Sequence, residues 1–162
     1  MKDILKLFYA IYCKMLERGI APAKIMLAGE SAGGGLCYAL CLKLRDEGKP
    51  LPAGIIAISP WCDLTLSGDS YITNREKDPS LTIKRLEFFA DCYTGAYSED
   101  EIAKIKKISA NTKGDNDLKR NPYVSPIFAD LTGMPPSIIF AGEDELLLSD
   151  AICMRDKLFA SG

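Results

Sequence analysis

The 162-residue sequence predicts an α/β chain: a parallel sheet of about three strands flanked by helices. Three observations carry that expectation. Apolar runs of strand length alternate with longer segments of helical periodicity. The strand runs are apolar throughout rather than at every second residue, which suits a parallel sheet covered on both faces. Between the first run and the helix after it lies Gly29-Glu30-Ser31-Ala32-Gly33-Gly34-Gly35, a tight glycine-rich turn.

The elements follow in order. Ile4, Phe8, Ile11 and Met15, widened by Leu5, Tyr12 and Leu16, predict an opening helix ended by Gly19. Ala21-Pro22-Ala23 is a connector, and Lys24 to Ala28 the first strand. The glycine-rich turn occupies 29–35; a helix from Leu36 to Arg45 is closed by Gly48 and Pro50. Gly54 to Ser59 is a second buried strand, stopped by Pro60, and 60–80 an irregular excursion rich in Ser, Asp and Gly. Leu81 to Cys92 reads as a helix with Thr82 as N-cap, and Ser98 caps a short helix through Lys107. Asn111 to Asp117 is a polar loop. Asn121 to Pro126 is extended, because each proline biases its predecessor away from helix. Ser137 to Ala141 is the third strand, and a helix capped by Ser149 or Asp150 runs through Phe159. All of this reads as one domain over 1–162, with the stretch from about 60 to 120 forming a helical excursion and pocket wall.

Composition narrows the function classes. With 20 basic and 22 acidic residues the net charge is −2, and no basic cluster suggests nucleic-acid binding. Lys104, Lys106 and Lys107 read as a solvated helix face. The six cysteines show no metal or redox spacing and are expected to be reduced and mostly buried, in a cytoplasmic protein. No metal site, cofactor or membrane span is expected: charged residues interrupt the apolar N-terminal stretch.

Gly29-Glu30-Ser31-Ala32-Gly33 fits the pattern G-x-S-x-G between a strand and a helix. A serine on such a sharp turn projects its hydroxyl from the end of the sheet. The backbone there is strained, and glycines at 29 and 33 let strand and helix pass closely. The following helix aims free N–H groups at the serine, and that of Ala32 can hold an oxyanion.

These residues resemble the nucleophile elbow of the hormone-sensitive-lipase family of α/β-hydrolases. The resemblance continues through Leu51-Pro52-Ala53-Gly54, Ser59-Pro60-Trp61-Cys62-Asp63-Leu64-Thr65 and Asp78-Pro79-Ser80-Leu81. It then takes in Ser125-Pro126-Ile127-Phe128-Ala129-Asp130-Leu131, Met134-Pro135-Pro136 and Gly142-Glu143-Asp144-Glu145-Leu146-Leu147-Leu148-Ser149-Asp150. It implies a carboxylic-ester hydrolase with a small acyl ester as substrate and Ser31 as nucleophile. A Ser-His-acid triad needs a carboxylate after the serine in chain order, just beyond a strand. Aligning the family's apolar stretch and closing aspartate with Asp150 puts Glu145 at the acid position; a shift of one puts Asp144 there. Glu145 is favoured. Trp61 and Asp63 follow the second strand at the sheet's ligand-binding end and are candidate pocket residues, with core-rim packing and turn formation as their alternatives.

The sequence contains no histidine. The family's histidine lies after one further strand, and its His-Gly-Gly-Gly oxyanion segment before the elbow; neither is matched here. The resemblance therefore implies a partial α/β-hydrolase domain lacking the N-terminal strands and the last strand. A serine without a base is a poor nucleophile, so negligible turnover is expected from these residues alone. A non-catalytic interaction module on the same scaffold is the alternative. Unpaired sheet edges are expected to favour self-association or a complementing chain.

Overall fold

The computed structural model describes residues 2–95 and 118–162. The expected helix from Ser98 to Lys107 and the loop from Asn111 to Asp117 lie outside the described residues. Among the described residues the sheet holds three strands, β1 (Met26–Glu30), β2 (Gly54–Ile58) and β3 (Ser137–Phe140), all parallel and in sequence order. Gly29 pairs with Ala57, and Ala57 with Ile139. Around it lie α1 (Lys2–Glu17), α2 (Ala32–Asp46), α3 (Ser70–Thr73), α4 (Ile83–Thr94) and α5 (Leu148–Ala160). This is a parallel sheet whose strands are joined by crossover helices.

Among the described residues the sheet is covered on one face, not both. Leu27, Ile55, Ala57 and Ile139 pack against Tyr38, Cys41 and Leu42 of α2 and Met154 of α5. On the opposite face Met26, Ile58, Ile138 and Phe140 are 45–56% exposed. The strands are apolar on both sides because both sides are built to be covered, yet the described helices pack on one. The same holds for α1. Leu5 and Tyr12 turn inward against Leu40 and Leu44 of α2, while Ile4, Phe8 and Ile11 of the predicted stripe are exposed.

Several boundaries move for physical reasons. Pro22 opens a short 3-10 turn, Pro22–Lys24, so β1 starts two residues later than the apolar run. The glycine-rich turn contracts to a single residue, Ser31, because Gly29 and Glu30 extend β1 and α2 absorbs Gly33 to Gly35. Thr82 caps α4 as expected, its hydroxyl accepting from the N–H of Arg85. Asn121 to Ser125 turns rather than extends. The Asn121 side chain accepts the Tyr123 N–H at 2.8 Å, its carbonyl accepts those of Val124 and Ser125, and a 3-10 turn, Pro126–Phe128, follows. Neither Ser149 nor Asp150 caps α5; both lie inside it, and no side chain caps it.

Two basic side chains tie the helices to the turn before β3. Arg45 of α2 donates to the carbonyls of Asp130 (2.8 Å) and Thr132 (2.9 Å). Lys157 of α5 donates to those of Ile127 and Ala129. Among the described residues all six cysteines are unpaired: Cys37, Cys41 and Cys62 are buried, Cys13 and Cys153 half-buried, and Cys92 exposed. No helix of the described residues is long and apolar enough to cross a membrane.

Candidate active site

Ser31 is the one residue between β1 and α2, with φ 53° and ψ −121°. A side chain rarely adopts that conformation, which costs on the order of 1–3 kcal/mol. Three backbone hydrogen bonds hold it. The Ser31 N–H donates to the Ile58 carbonyl (2.9 Å), and its own carbonyl accepts from Trp61 (2.9 Å) and Gly35 (3.2 Å). The chain leaving β2 therefore clamps the bend from the side. The residue after that strand bends as well, Ser59 having φ 44°, and Pro60 next to it packs on Gly34.

Close approach falls on a different set of glycines from the one the motif suggests. A Cβ on Gly29 would stand 2.3 Å from the Gly33 carbonyl oxygen, and one on Gly35 would stand 2.2 Å from that of Trp61. A Cβ on Gly34 would stand 2.9 Å from Pro60 Cβ. A Cβ on Gly33 would meet nothing within 4 Å. Gly33 thus contributes its backbone, against which Gly29 packs, and needs no missing side chain of its own. Glu30 ends β1 with its side chain exposed.

The first-turn N–H groups of α2 have no intrahelical partners, and no side chain caps this end. They include that of Ala32. Beside them opens a cavity of about 460 Å³ lined by Ser31, Ala32, Gly33 and the apolar side chains of Trp61, Leu86 and Phe89. Among the two candidate pocket residues, Trp61 lines this cavity. Asp63 does not. Its buried carboxylate accepts from the N–H and hydroxyl of Thr65 and from those of Ser67, at 2.5–3.0 Å, so it forms the turn after β2.

The two candidate acids differ in setting. Asp144 is exposed and forms a loose ion pair with Lys77 (3.7 Å). Glu145 is half-buried. Its side chain folds over Gly142, and its Oε2 is buried without a hydrogen-bond partner. An unpaired buried carboxylate oxygen is costly and calls for a donor. The loop that carries it is held from the excursion. Asn74 Nδ2 donates to the carbonyls of Glu143 and Glu145, both at 2.9 Å, and Asp78 accepts the Leu146 N–H at 2.8 Å. Burial pushes the Asp78 carboxyl up, but N–H donors from Leu146, Leu81 and Ser80 outweigh it and hold it below its ordinary value. Asp78 was visible in the sequence only as part of the resemblance; Asn74 carried no signal at all.

Ser31 and Glu145 follow the carboxyl ends of β1 and β3, which are separated by β2. Two interstrand steps put those ends about 10 Å apart. Among the described residues no cluster of side chains has the makings of a metal site.

The family model for the alpha/beta hydrolase fold matches residues 1–162. An acetyl-hydrolase of Streptomyces hygroscopicus is 35% identical over 94% of this chain and 44% of its own length. An esterase of Acinetobacter venetianus is 34% identical over 92% of this chain and 43% of its own. A solved esterase of the bacterial hormone-sensitive lipase family superposes with a TM-score of 0.82 at 34% identity, over 98% of this chain and 46% of that structure. The chain thus spans a little under half the length of the relatives it matches. With its elbow, its parallel sheet and these likenesses in agreement, the chain belongs to the α/β-hydrolase family.

Proposed function

We propose that these residues form the nucleophile-and-acid part of a serine carboxylesterase acting on small acyl esters. The observation that carries it is the strained backbone of Ser31 between strand and helix, beside an apolar cavity and uncapped N–H groups. In this reading Ser31 Oγ attacks the acyl carbonyl carbon and an imidazole takes its proton. The Ala32 N–H holds the oxyanion, the alcohol leaves with the proton, and water releases the acid from the acyl-enzyme. Glu145 is the acid that orients the imidazole. Its unpaired buried oxygen supports this over Asp144, whose charge is spent on Lys77 at the surface. The gap of about 10 Å between strand ends leaves room for a ring bonded on both sides.

The 162 residues contain no histidine, so the imidazole comes from outside them. That fact also favours the second reading, a non-catalytic interaction module, for these residues in isolation. The sheet face and strand edges that the described residues leave bare are where a complementing chain or a second copy would join.

The test supplies the missing base. The chain is treated with a fluorophosphonate probe with and without added imidazole, beside Ser31→Ala, Glu145→Gln and Asp144→Asn. Imidazole-dependent labelling confined to Ser31, weakened by Glu145→Gln and untouched by Asp144→Asn, is expected. Labelling spread over several serines at rates that ignore imidazole refutes the assignment. Without imidazole, p-nitrophenyl acetate hydrolysis should match Ser31→Ala.

A further inference from the structure

Two buried carboxylates sit behind the serine cavity, and the catalytic reading uses neither. Asp63 and Asp150 are each 1% exposed, and neither forms an ion pair with a described residue. Asp63 is saturated by the turn it closes. Asp150, in the first turn of α5, reaches across to the loop after β2. Its Oδ2 accepts the N–H of Cys62 (2.7 Å) and of Asp63 (2.8 Å), and its Oδ1 accepts the Tyr71 hydroxyl (2.8 Å).

That loop builds the cavity. The carbonyl of Asp63, whose own N–H Asp150 holds, accepts the Trp61 indole N–H at 3.0 Å. The Trp61 backbone N–H donates to the Ser31 carbonyl. A continuous path of hydrogen bonds and backbone therefore runs from Asp150 through the Cys62–Asp63 peptide to the indole on the cavity wall and to the strained serine.

We propose that Asp150 is a positioning residue for the serine site: its buried carboxylate sets the place of Trp61 and of the Ser31 carbonyl, and its protonation moves them. The proposal takes its functional meaning from Ser31 being the nucleophile, but the contact network stands without it. The groups facing Asp150 are Tyr71 from α3, Asp63 and the Cys62 thiol from the loop, and Cys153 on its own helix. Lys157, also on α5, is committed to two carbonyls. Burial pushes the Asp150 carboxyl up to about 7, with Asp63 adding to it and Tyr71 opposing. Burial likewise drives the Cys62 and Tyr71 protons further out of reach, well above their ordinary values. With no histidine present, no other side chain has an ordinary value between pH 5 and 8.

Trp61 is the single tryptophan, so its emission reports on this wall alone. Trp61 emission is recorded from pH 5 to 9 in the chain, in Asp150→Asn and in Tyr71→Phe, with far-ultraviolet circular dichroism alongside. In Asp150→Asn an amide oxygen still accepts the two backbone N–H groups and the amide nitrogen donates to Tyr71, so the contacts persist and the charge does not. The expected result is an emission transition with a midpoint near 7 in the unaltered chain and none in Asp150→Asn, with circular dichroism constant. Loss of the Tyr71 donor should move the midpoint to higher pH. An emission constant across the range, or the same transition in Asp150→Asn, overturns the proposal. If Asp150→Asn fails to fold, an unmoved midpoint in Tyr71→Phe overturns it. Failure of Ser31 to take up the fluorophosphonate with this transition intact would instead count against the esterase reading.

Discussion

Adding one methyl group at either end of the elbow should have opposite effects on stability. In Gly29→Ala the new Cβ meets the Gly33 carbonyl oxygen at 2.3 Å, its carbon at 2.4 Å and the Gly34 nitrogen at 2.7 Å. All three are backbone atoms of the first turn of α2, so no side chain can rotate away. Strand and helix must separate by about 1 Å to reach ordinary contact, and overpacking of that kind costs about 3 kcal/mol. In Gly33→Ala the same methyl meets nothing within 4 Å, and Gly33 lies inside α2 at an ordinary helical φ. Replacing a helical glycine there gains about 0.5–1 kcal/mol, chiefly by restricting the unfolded chain. For a chain of this length each kcal/mol moves Tm by about 2–4 °C. Thermal unfolding followed by circular dichroism should therefore show Gly29→Ala melting about 6–12 °C lower and Gly33→Ala about 1–4 °C higher. Equal losses in both variants would mean that both glycines are required by the bend itself, and the assignment of close approach to Gly29 would fall.

Asp144→Asn removes only an exposed 3.7 Å ion pair, so urea unfolding should show a change below about 0.5 kcal/mol. Arg45→Met keeps the aliphatic stem but removes the donors to the Asp130 and Thr132 carbonyls; a loss of about 2 kcal/mol, seen as a lower urea midpoint at unchanged slope, is expected. The bare sheet face should bind an anilinonaphthalene dye in the native chain, and Ile138→Lys with Phe140→Lys should remove most of that fluorescence without loss of helix signal. The Asp150 carboxyl is raised in the folded state from about 4 to about 7, so the stability it contributes is full below about 4 and is lost as pH rises to 7. Asp78 and Asp130, held low, lose their contribution only in more acid solution. Urea midpoints between pH 5 and 8 should therefore fall with pH in the chain and stay flatter in Asp150→Asn.

The three strands, the helices α1, α2, α4 and α5 and the bend at Ser31 were legible because each leaves a local mark: an apolar run, a period, a G-x-S-x-G between them. What covers what was not. The exposed Ile4–Phe8–Ile11 stripe and the buried Leu5–Tyr12 one are equally apolar, and only packing against α2 separates them. The glycines told the same story. Four of them share one short segment, yet Gly29 is crowded by the backbone of Gly33; Gly34 and Gly35 are crowded by Pro60 and Trp61 farther along the chain, and Gly33 by nothing. Glu145 could be ranked against Asp144 from alignment alone, but its orphaned oxygen, and the bracing of its loop by Asn74 and Asp78 through contacts 68 to 71 residues apart, are encoded by no spacing.

The elbow persists because its strain is met close at hand. An unfavourable φ on Ser31 costs on the order of 1–3 kcal/mol. Three backbone hydrogen bonds at about 1 kcal/mol apiece cover that range. Two of them, to Ile58 and from Trp61, come from β2 and the residues just after it, and the third from α2 itself. All the groups involved lie between β1 and the loop that Asp150 pins, a single β-α-β unit that needs neither a further strand nor a base to close. The bend can therefore stay formed without an imidazole beside it. On the proposed esterase reading, the serine's geometry marks the nucleophile's place, and turnover depends on a proton acceptor that this unit does not supply.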